Sequence, residues 1–312
     1  MGTIHELIER EGRDTVRLFY EPAVVDAAFD MMTLERDRMG FLYSGFALAS
    51  LPHNQLSPDS HGNEVTWEKH GHGMKLIVQP GRFTDAQGHT TIKGVPFGPL
   101  ARLILIYLQS EALRTGQRDI VLGRSMYDWL NRMKMTRGGK TYKSIREQAR
   151  RISVCSVHFA RFDGRSSWNS EARFVEQGLY LDENPDPEQP RLWDDTVTLD
   201  QRFFSELTKH AVPLSEEALS HLTNKSLAID IYIWLAYRLH ALDKPVDVTW
   251  KALQGQFGTG YKRLRDFRRY FEPSLRMALA VYPDARVDEI DGGVRLFPSR
   301  PPIAKRQVLI GG

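Results

Sequence analysis

The chain has 312 residues, long enough for two domains of ordinary size, and its 41% hydrophobic and 26% charged residues are the balance of a globular protein. A net charge of +3 is too small to identify a partner, so the clustering of charge carries the information. Cys155 is the sole cysteine, which excludes an intrachain disulfide, and the absence of any apolar run near 18 residues in length excludes a membrane-spanning helix. The early acidic residues do not form a signal peptide, and the expected location is the cytoplasm.

Residues 1–37 have helical spacing, with Ile4, Leu7 and Ile8 and then Val24, Val25, Ala28 and Phe29 as the apolar positions. This stretch is expected to be an accessory arm: a partner-binding or dimer element, or a cap on the first module. Residues 40–51 are apolar and suggest a strand. Residues 52–73 are rich in Asn, Ser, His and Gly and suggest a loop. A short strand over 75–79 and a turn-rich stretch over 80–93 follow. Pro99 opens a buried helix reading LARLILIYLQSEALR, and 119–122 suggests a short strand. Ser125 with Asp128 resembles a capping box for a helix through Met126, Trp129, Leu130 and Met133.

The stretch 134–165, KMTRGGKTYKSIREQARRISVCSVHFARFDGR, holds nine Lys or Arg and two acidic residues. A turn over 136–139 leads into a helix that opens at Lys140 or Thr141 and runs to Ile152. Tyr142, Ile145, Ala149 and Ile152 form an apolar stripe. Lys143, Arg146 and Arg150 form a second, basic stripe, with Lys140 one step upstream. Thr141 and Ser144 are placed to bond a phosphate or a base edge. A strand over 154–159 and a turn over 162–166 follow, with Arg161 and Arg165 on either side of Asp163-Gly164. Either this is a solvated basic face beside an ordinary hairpin, or it is a recognition helix and wing that read duplex DNA. The neighbouring turn and hairpin favour DNA.

An extended segment over 172–181, a polar loop over 184–190, a strand over 196–199 and a helix over 201–210 complete this part. A second domain is expected from Val212, with helices over 214–222 and 226–240, the latter apolar nearly all round. A β-branched strand over 246–248 precedes a helix capped by Thr249 and carrying Trp250, Leu253 and Phe257. Tyr261 or Lys262 opens a long basic helix. Leu264, Phe267, Phe271, Leu275 and Ala278 are its apolar face, and Lys262, Arg263, Arg265, Arg268, Arg269 and Arg276 are its candidate DNA contacts. Pro273 either kinks this helix or splits it, and in the second case Ser274 and Arg276 become the better base contacts. A hairpin turning at Asp291-Gly292-Gly293 closes the domain.

The succession helix, strand, helix, basic helix, strand, turn, strand occurs twice. The expected fold class is α+β, with tandem winged helix-turn-helix domains: an arm and loop over 1–73, a first winged helix over 74–211, a second over 212–300 and a basic tail over 301–312.

Within this pattern the runs GVPFGPLARLILIYLQSEALRTGQRDIVLGRSMYDWLNRM, GGKTYKSIREQARRIS and LAIDIYIWLAYRLHALDKPVDVTWKALQGQFG, then FRRYF, YPDA and LFPSRPPI, resemble the plasmid-encoded RepA replication initiators of Gram-negative bacteria. The similarity spans residues 75–303. The resemblance implies sequence-specific binding of double-stranded DNA at repeats in a plasmid origin, opening of nearby AT-rich DNA and recruitment of host replication proteins. It also implies repression of the initiator's own promoter, and monomer and homodimer forms with different roles. An operator-binding repressor without replication activity shares nearly every feature and is the rival reading. No phosphate-binding GxxxxGK[ST] loop is present, and no enzyme activity, cofactor, metal or membrane partner is expected. His61, His70 and His72 are expected to lie in a surface loop. The His70-Gly-His72 spacing is the best argument for a nicking enzyme with a tyrosine nucleophile such as Tyr142, but the pair is flanked by glycines and by no long apolar strand.

Overall fold

The computed structural model describes residues 3–35, 37–71, 73–85, 87–135, 138–162, 167–177 and 196–303. Its elements begin with α1 (Thr3–Glu11), α2 (Arg13–Val16), α3 (Pro22–Met32), β1 (Met39–Tyr43) and α4 (Gly45–Leu48). Then come β2 (Trp67–Gly71), β3 (Met74–Gln79), β4 (Gly81–Thr84), β5 (Thr90–Lys93), α5 (Gly98–Thr115), β6 (Asp119–Val121), α6 (Gly123–Arg132) and α7 (Gly139–Val154). The strands β7 (Ser156–Phe162), β8 (Ser167–Arg173), β9 (Val175–Gln177) and β10 (Thr196–Leu199) precede α8 (Gln201–Lys209), β11 (Ala211–Ser215), α9 (Glu216–Leu222) and α10 (Ser226–Arg238). The last elements are β12 (Val246–Thr249), α11 (Trp250–Phe257), α12 (Leu264–Ala280), β13 (Val287–Ile290) and β14 (Gly293–Leu296). The fold class is α+β.

Two compact units emerge. A central unit comprises Phe41–Ala211, and a terminal unit joins Met1–Gly40 to Val212–Gly312. The N-terminal helices are therefore part of the terminal unit and not a separate arm. The physical reason is their apolar face. Ile8, Val24, Val25, Ala27 and Ala28 are buried, and α3 packs on α12 and α9. His5 of α1 is fully buried and its Nε2 donates to the Ala280 carbonyl at the end of α12, at 2.9 Å.

In the central unit α5 is buried along most of its length and acts as the spine. Arg102 on this helix is buried and donates to the carbonyls of Leu51, Pro52 and Gly98, which fixes the irregular segment after α4. Gln109 Oε1 and Ser110 Oγ accept from the backbone amides of Tyr43 and Phe41. A four-stranded antiparallel sheet has the order β2-β3-β7-β8, and β7 lies between β3 and β8. Its inner face carries Leu76, Val78, Val157 and Phe159, the last in edge contact with Tyr43 and Phe46. Cys155 is buried where α7 passes into β7, and burial pushes its thiol pKa up, which makes it inert.

Several sequence expectations change here. The apolar stretch 40–51 is a strand followed by a short helix, and the loop over 52–73 contains β2. The turn-rich stretch 80–93 is the hairpin β4–β5. Helix α6 begins at Gly123, so Ser125 falls within its first turn and is not the cap. The expected helix over 214–222 is shortened by β11, and Ser215 caps α9 by accepting from the Ala218 amide at 2.9 Å. Part of the extended segment 172–181 and the loop 184–190 lie outside the described residues.

In the terminal unit α10 is buried from Ala228 to Ala236, as its uniform apolarity requires. Trp234, Phe257, Phe271 and Trp250 form a chain of ring contacts from α10 through α11 to α12. Thr249 caps α11 by accepting from the Ala252 amide at 3.2 Å. Helix α12 runs unbroken through Pro273, which is exposed, so it is neither split nor restarted there. The hairpin β13–β14 pairs with β12 in the order β12-β14-β13. Gly293 allows this closeness: a Cβ there would stand 2.0 Å from the Val248 carbonyl oxygen.

The order α5-β6-α6-α7-β7-β8 in the central unit repeats as α10-β12-α11-α12-β13-β14 in the terminal unit. The strand pairing differs. β12 joins its own hairpin, whereas β6 pairs with β10, and the β7–β8 hairpin joins β3 instead.

Candidate nucleic-acid interface

Helix α7 is amphipathic. Ile145, Ala149 and Ile152 are buried, and Tyr142 is half-buried. Gln148, also buried, accepts from the Phe97 amide at 2.9 Å. Arg151 is buried as well: it donates to the Val95 carbonyl and to Glu147, and stacks 5.1 Å from the Phe97 ring centroid. One face of α7 is thereby fixed to the segment leading into α5. Lys140, Lys143 and Ser144 are exposed and Thr141 half-exposed in the first two turns, where Lys140 and Ser144 share a side of the helix with Gln148 and Arg151 further along. Among the described residues neither Lys140 nor Lys143 has a carboxylate partner within ion-pair distance.

Two members of the expected basic stripe sit differently. Arg146 is only half-exposed. Arg150 lies with its guanidinium 5.2 Å from the centroid of the Phe83 ring on β4, so it holds the β4–β5 hairpin against α7 and is not a free contact. Its basic neighbours on that hairpin are Arg82, which is exposed, and Lys93, whose ammonium stands 6.0 Å from the same ring. Arg161 is exposed at the end of β7 beside exposed Phe162. Arg165, Asp163 and Gly164 lie outside the described residues.

In the terminal unit Lys262 and Arg263 are exposed but precede α12, which begins at Leu264. Leu264 is itself 39% exposed and leaves the expected apolar face. Phe267, Phe271, Leu275 and Ala278 are buried. Arg265, Arg269 and Arg276, spaced four and seven apart, form one exposed stripe. Arg268 is a structural residue: its guanidinium lies 4.5 Å from the Trp250 ring centroid and pairs with Glu272 at 2.9 Å. Ser274 Oγ donates to the Tyr270 carbonyl at 2.9 Å, a local bond within the helix. The last two turns of α12 are also covered on their sides, where Met277 and Ala280 are buried, so its N-terminal half is the more open one.

The β13–β14 hairpin is acidic, with Asp288, Glu289 and Asp291 exposed, and its arginine is engaged. Arg295 donates to both oxygens of Asp247 on the adjacent strand, at 2.6 and 2.8 Å. This pair holds the Asp247 carboxyl below the usual carboxylate range. Arg286 stacks 5.5 Å from the Phe297 ring centroid.

Sequence reasoning missed the Phe83 anchor of Arg150, the Trp250 anchor of Arg268, and a ring pair of Tyr261 with Tyr270 at 5.4 Å between centroids. Tyr261 precedes α12 and Tyr270 lies within it, so no single periodicity joins them. Among the described residues no group of three or more His, Cys, Asp or Glu is gathered as in a metal site, and no helix is long and apolar enough to cross a membrane. His61 and His70 are exposed, and His72 lies outside the described residues.

These features define an α+β protein of two units, each presenting a basic helix followed by a hairpin. A family model described as plasmid-encoded RepA protein matches residues 95–251, half of the chain, and the chain belongs to that family. Among solved structures, a selenomethionine derivative of domains 2 and 3 of RctB aligns over 84% of this chain and 99% of its own, with a TM-score of 0.51 and 13% identity. A second structure of RctB domains 2-3 aligns over 77% and 92%, with a TM-score of 0.44 and 12% identity. The first likeness establishes a shared fold. No curated protein sequence matches the chain significantly.

Proposed function

We propose that this protein is a plasmid replication initiator that binds repeated duplex sites at its origin through two winged helix-turn-helix modules. The observation that carries the reading is the repeated order of helix, strand, helix, basic helix and hairpin in a chain of the RepA family. Helix α7 enters the major groove through Lys140, Thr141, Lys143, Ser144 and Arg146, with the β7–β8 hairpin and Arg161 over the adjacent backbone. Helix α12 enters another major groove through the stripe of Arg265, Arg269 and Arg276, with Lys262 and Arg263 on phosphates. Cations on phosphates supply most of the affinity, which falls steeply with salt, while base contacts supply discrimination of ~1–3 kcal/mol for each good bidentate pair. The protein acts by binding and not by catalysis. It recruits host replication proteins, represses its own promoter and passes between monomer and dimer.

The test is a footprint of the purified protein on the DNA flanking its own gene. Protection of regularly spaced direct repeats beside an AT-rich segment is the expected result. Protection of a short palindrome over a promoter alone would establish a repressor instead, and no specific protection would overturn duplex recognition altogether.

A further inference from the structure

One large side chain on the open half of α12 is neither part of the core nor a cation for phosphate. Tyr270 is 55% exposed, although it sits on a helix whose remaining aromatic residues, Phe267 and Phe271, are fully buried. A single exposed apolar residue is ordinary on a protein surface. Tyr270 differs because its ring is braced. It packs on Tyr261 at 5.4 Å between centroids and 34° between planes. Tyr261 in turn meets the buried Phe267 at 6.0 Å. The backbone of Tyr261 is held at both ends: its amide donates to the Gly258 carbonyl at 3.0 Å, and its carbonyl accepts from Gln254 Nε2 of α11 at 3.0 Å. The exposed ring is therefore fixed by the connection between α11 and α12, the part of a helix-turn-helix that approaches DNA.

Its surroundings narrow the ligand. Arg269 is the adjacent residue, and Lys262 and Arg263 follow Tyr261, all three exposed. Cations and the phenol hydroxyl serve phosphates; the apolar ring itself does not. In the major groove the one apolar feature of a base pair is the 5-methyl group of thymine. A stacking platform for unpaired bases is the competing use of an exposed ring, but such platforms occur as series of aromatic side chains along an open groove. Here there is a single pair, exposed Tyr270 with half-buried Tyr261 packed against it, and no series.

We infer that Tyr270 is a specificity-determining residue that contacts the 5-methyl group of a thymine in the major groove at the site bound by the terminal unit. The inference rests on the duplex-binding reading. It predicts that one thymine in each repeat is read through its methyl group, and that a rigid, pre-positioned ring does the reading at little entropic cost.

The test uses the full chain and a duplex carrying a footprinted repeat. Each thymine is replaced in turn by deoxyuridine, which lacks only the methyl group. The wild type is expected to lose affinity severalfold for one such duplex. Tyr270→Ala should bind the unmodified repeat on the order of tenfold more weakly, while keeping its affinity for random DNA. It should be indifferent to that same thymine replacement. Tyr270→Phe should behave as the wild type. Because Tyr270 is exposed, an unchanged thermal midpoint in the Ala variant will show that folding is intact. Equal sensitivity of wild type and Tyr270→Ala to every replacement would overturn the inference, as would undiminished repeat binding by the variant. Loss of single-stranded DNA or RNA binding with duplex binding intact would overturn it in favour of stacking. A wild type that protects no duplex would sink the duplex reading and this inference together, whereas protection unchanged by Tyr270→Ala sinks the inference alone.

Discussion

The guanidinium of Arg268 lies 4.5 Å from the centroid of the Trp250 ring. Trp250 opens α11 and Arg268 lies in the second turn of α12, so the contact fastens the first helix of the pair to the second. The Glu272 carboxylate, one turn further along α12, completes the clamp at 2.9 Å. An arginine on the basic helix therefore sets the angle of that helix, and its neighbours on the exposed stripe are left to meet a ligand.

This division of labour separates two substitutions. Arg268→Ala should lower the stability of the terminal unit by about 1 kcal/mol, as expected for a half-exposed cation over an indole. Arg269→Ala should leave stability within about 0.5 kcal/mol and reduce the slope of log affinity against log salt by about one. Urea denaturation and a salt series on a footprinted duplex measure the two effects. Arg269→Ala with an unchanged salt slope would remove that residue from the interface.

The same contrast holds in the central unit. Lys143→Ala should weaken binding about equally on cognate and random duplexes, because an exposed ammonium on the outer face of α7 meets phosphate. Arg150→Ala acts through Phe83, and should cost about 1 kcal/mol of stability as the β4–β5 hairpin loosens from α7. Arg146→Ala should weaken the cognate repeat more than random DNA. Equal losses on both DNAs would make Arg146 a phosphate contact.

Asp247 and Arg295 make a prediction about pH. The folded-state pKa of Asp247 is lowered by its hydrogen bonds to Arg295. The pair therefore stabilises the fold at pH above the ordinary Asp pKa, and that contribution is lost as pH falls through the depressed folded value. Asp247→Asn should be less stable than the wild type at neutral pH, with the difference closing in acid. Denaturation midpoints followed from neutral to acidic pH check this. On DNA the same variant should bind more tightly and with a steeper salt slope, since Arg295 is released for phosphate.

The N-terminal helices are structural. Ile8→Ala should cost about 2–5 kcal/mol, the range for truncating a buried isoleucine. Circular dichroism melting of the full chain would detect it. An unchanged melting temperature would mean that α1 contributes nothing to the terminal unit.

Local pattern was enough for much of this protein. The spacing of Ile145, Ala149 and Ile152, and of Phe267, Phe271, Leu275 and Ala278, identifies the inner faces of α7 and α12, because helical periodicity is a property of neighbouring residues. Thr249 as a cap and Asp291-Gly292-Gly293 as a turn are equally local. The boundary of the arm was not legible in this way. The apolar stripe of α1 and α3 signals that something covers it, but only the folded chain brings α12 and α9 to do so.

What the tertiary structure decided was pairing between distant residues. Strands β6 and β12 hold the same place in their two series, and no feature of either short segment tells which strand it will join. Phe83 and Trp250 likewise claim Arg150 and Arg268 from stripes that look uniformly available in sequence. A positive charge on a helix face shows where the face is polar. Whether that charge is free for a phosphate or spent on an aromatic ring depends on which ring the fold carries next to it, and local spacing holds no record of that.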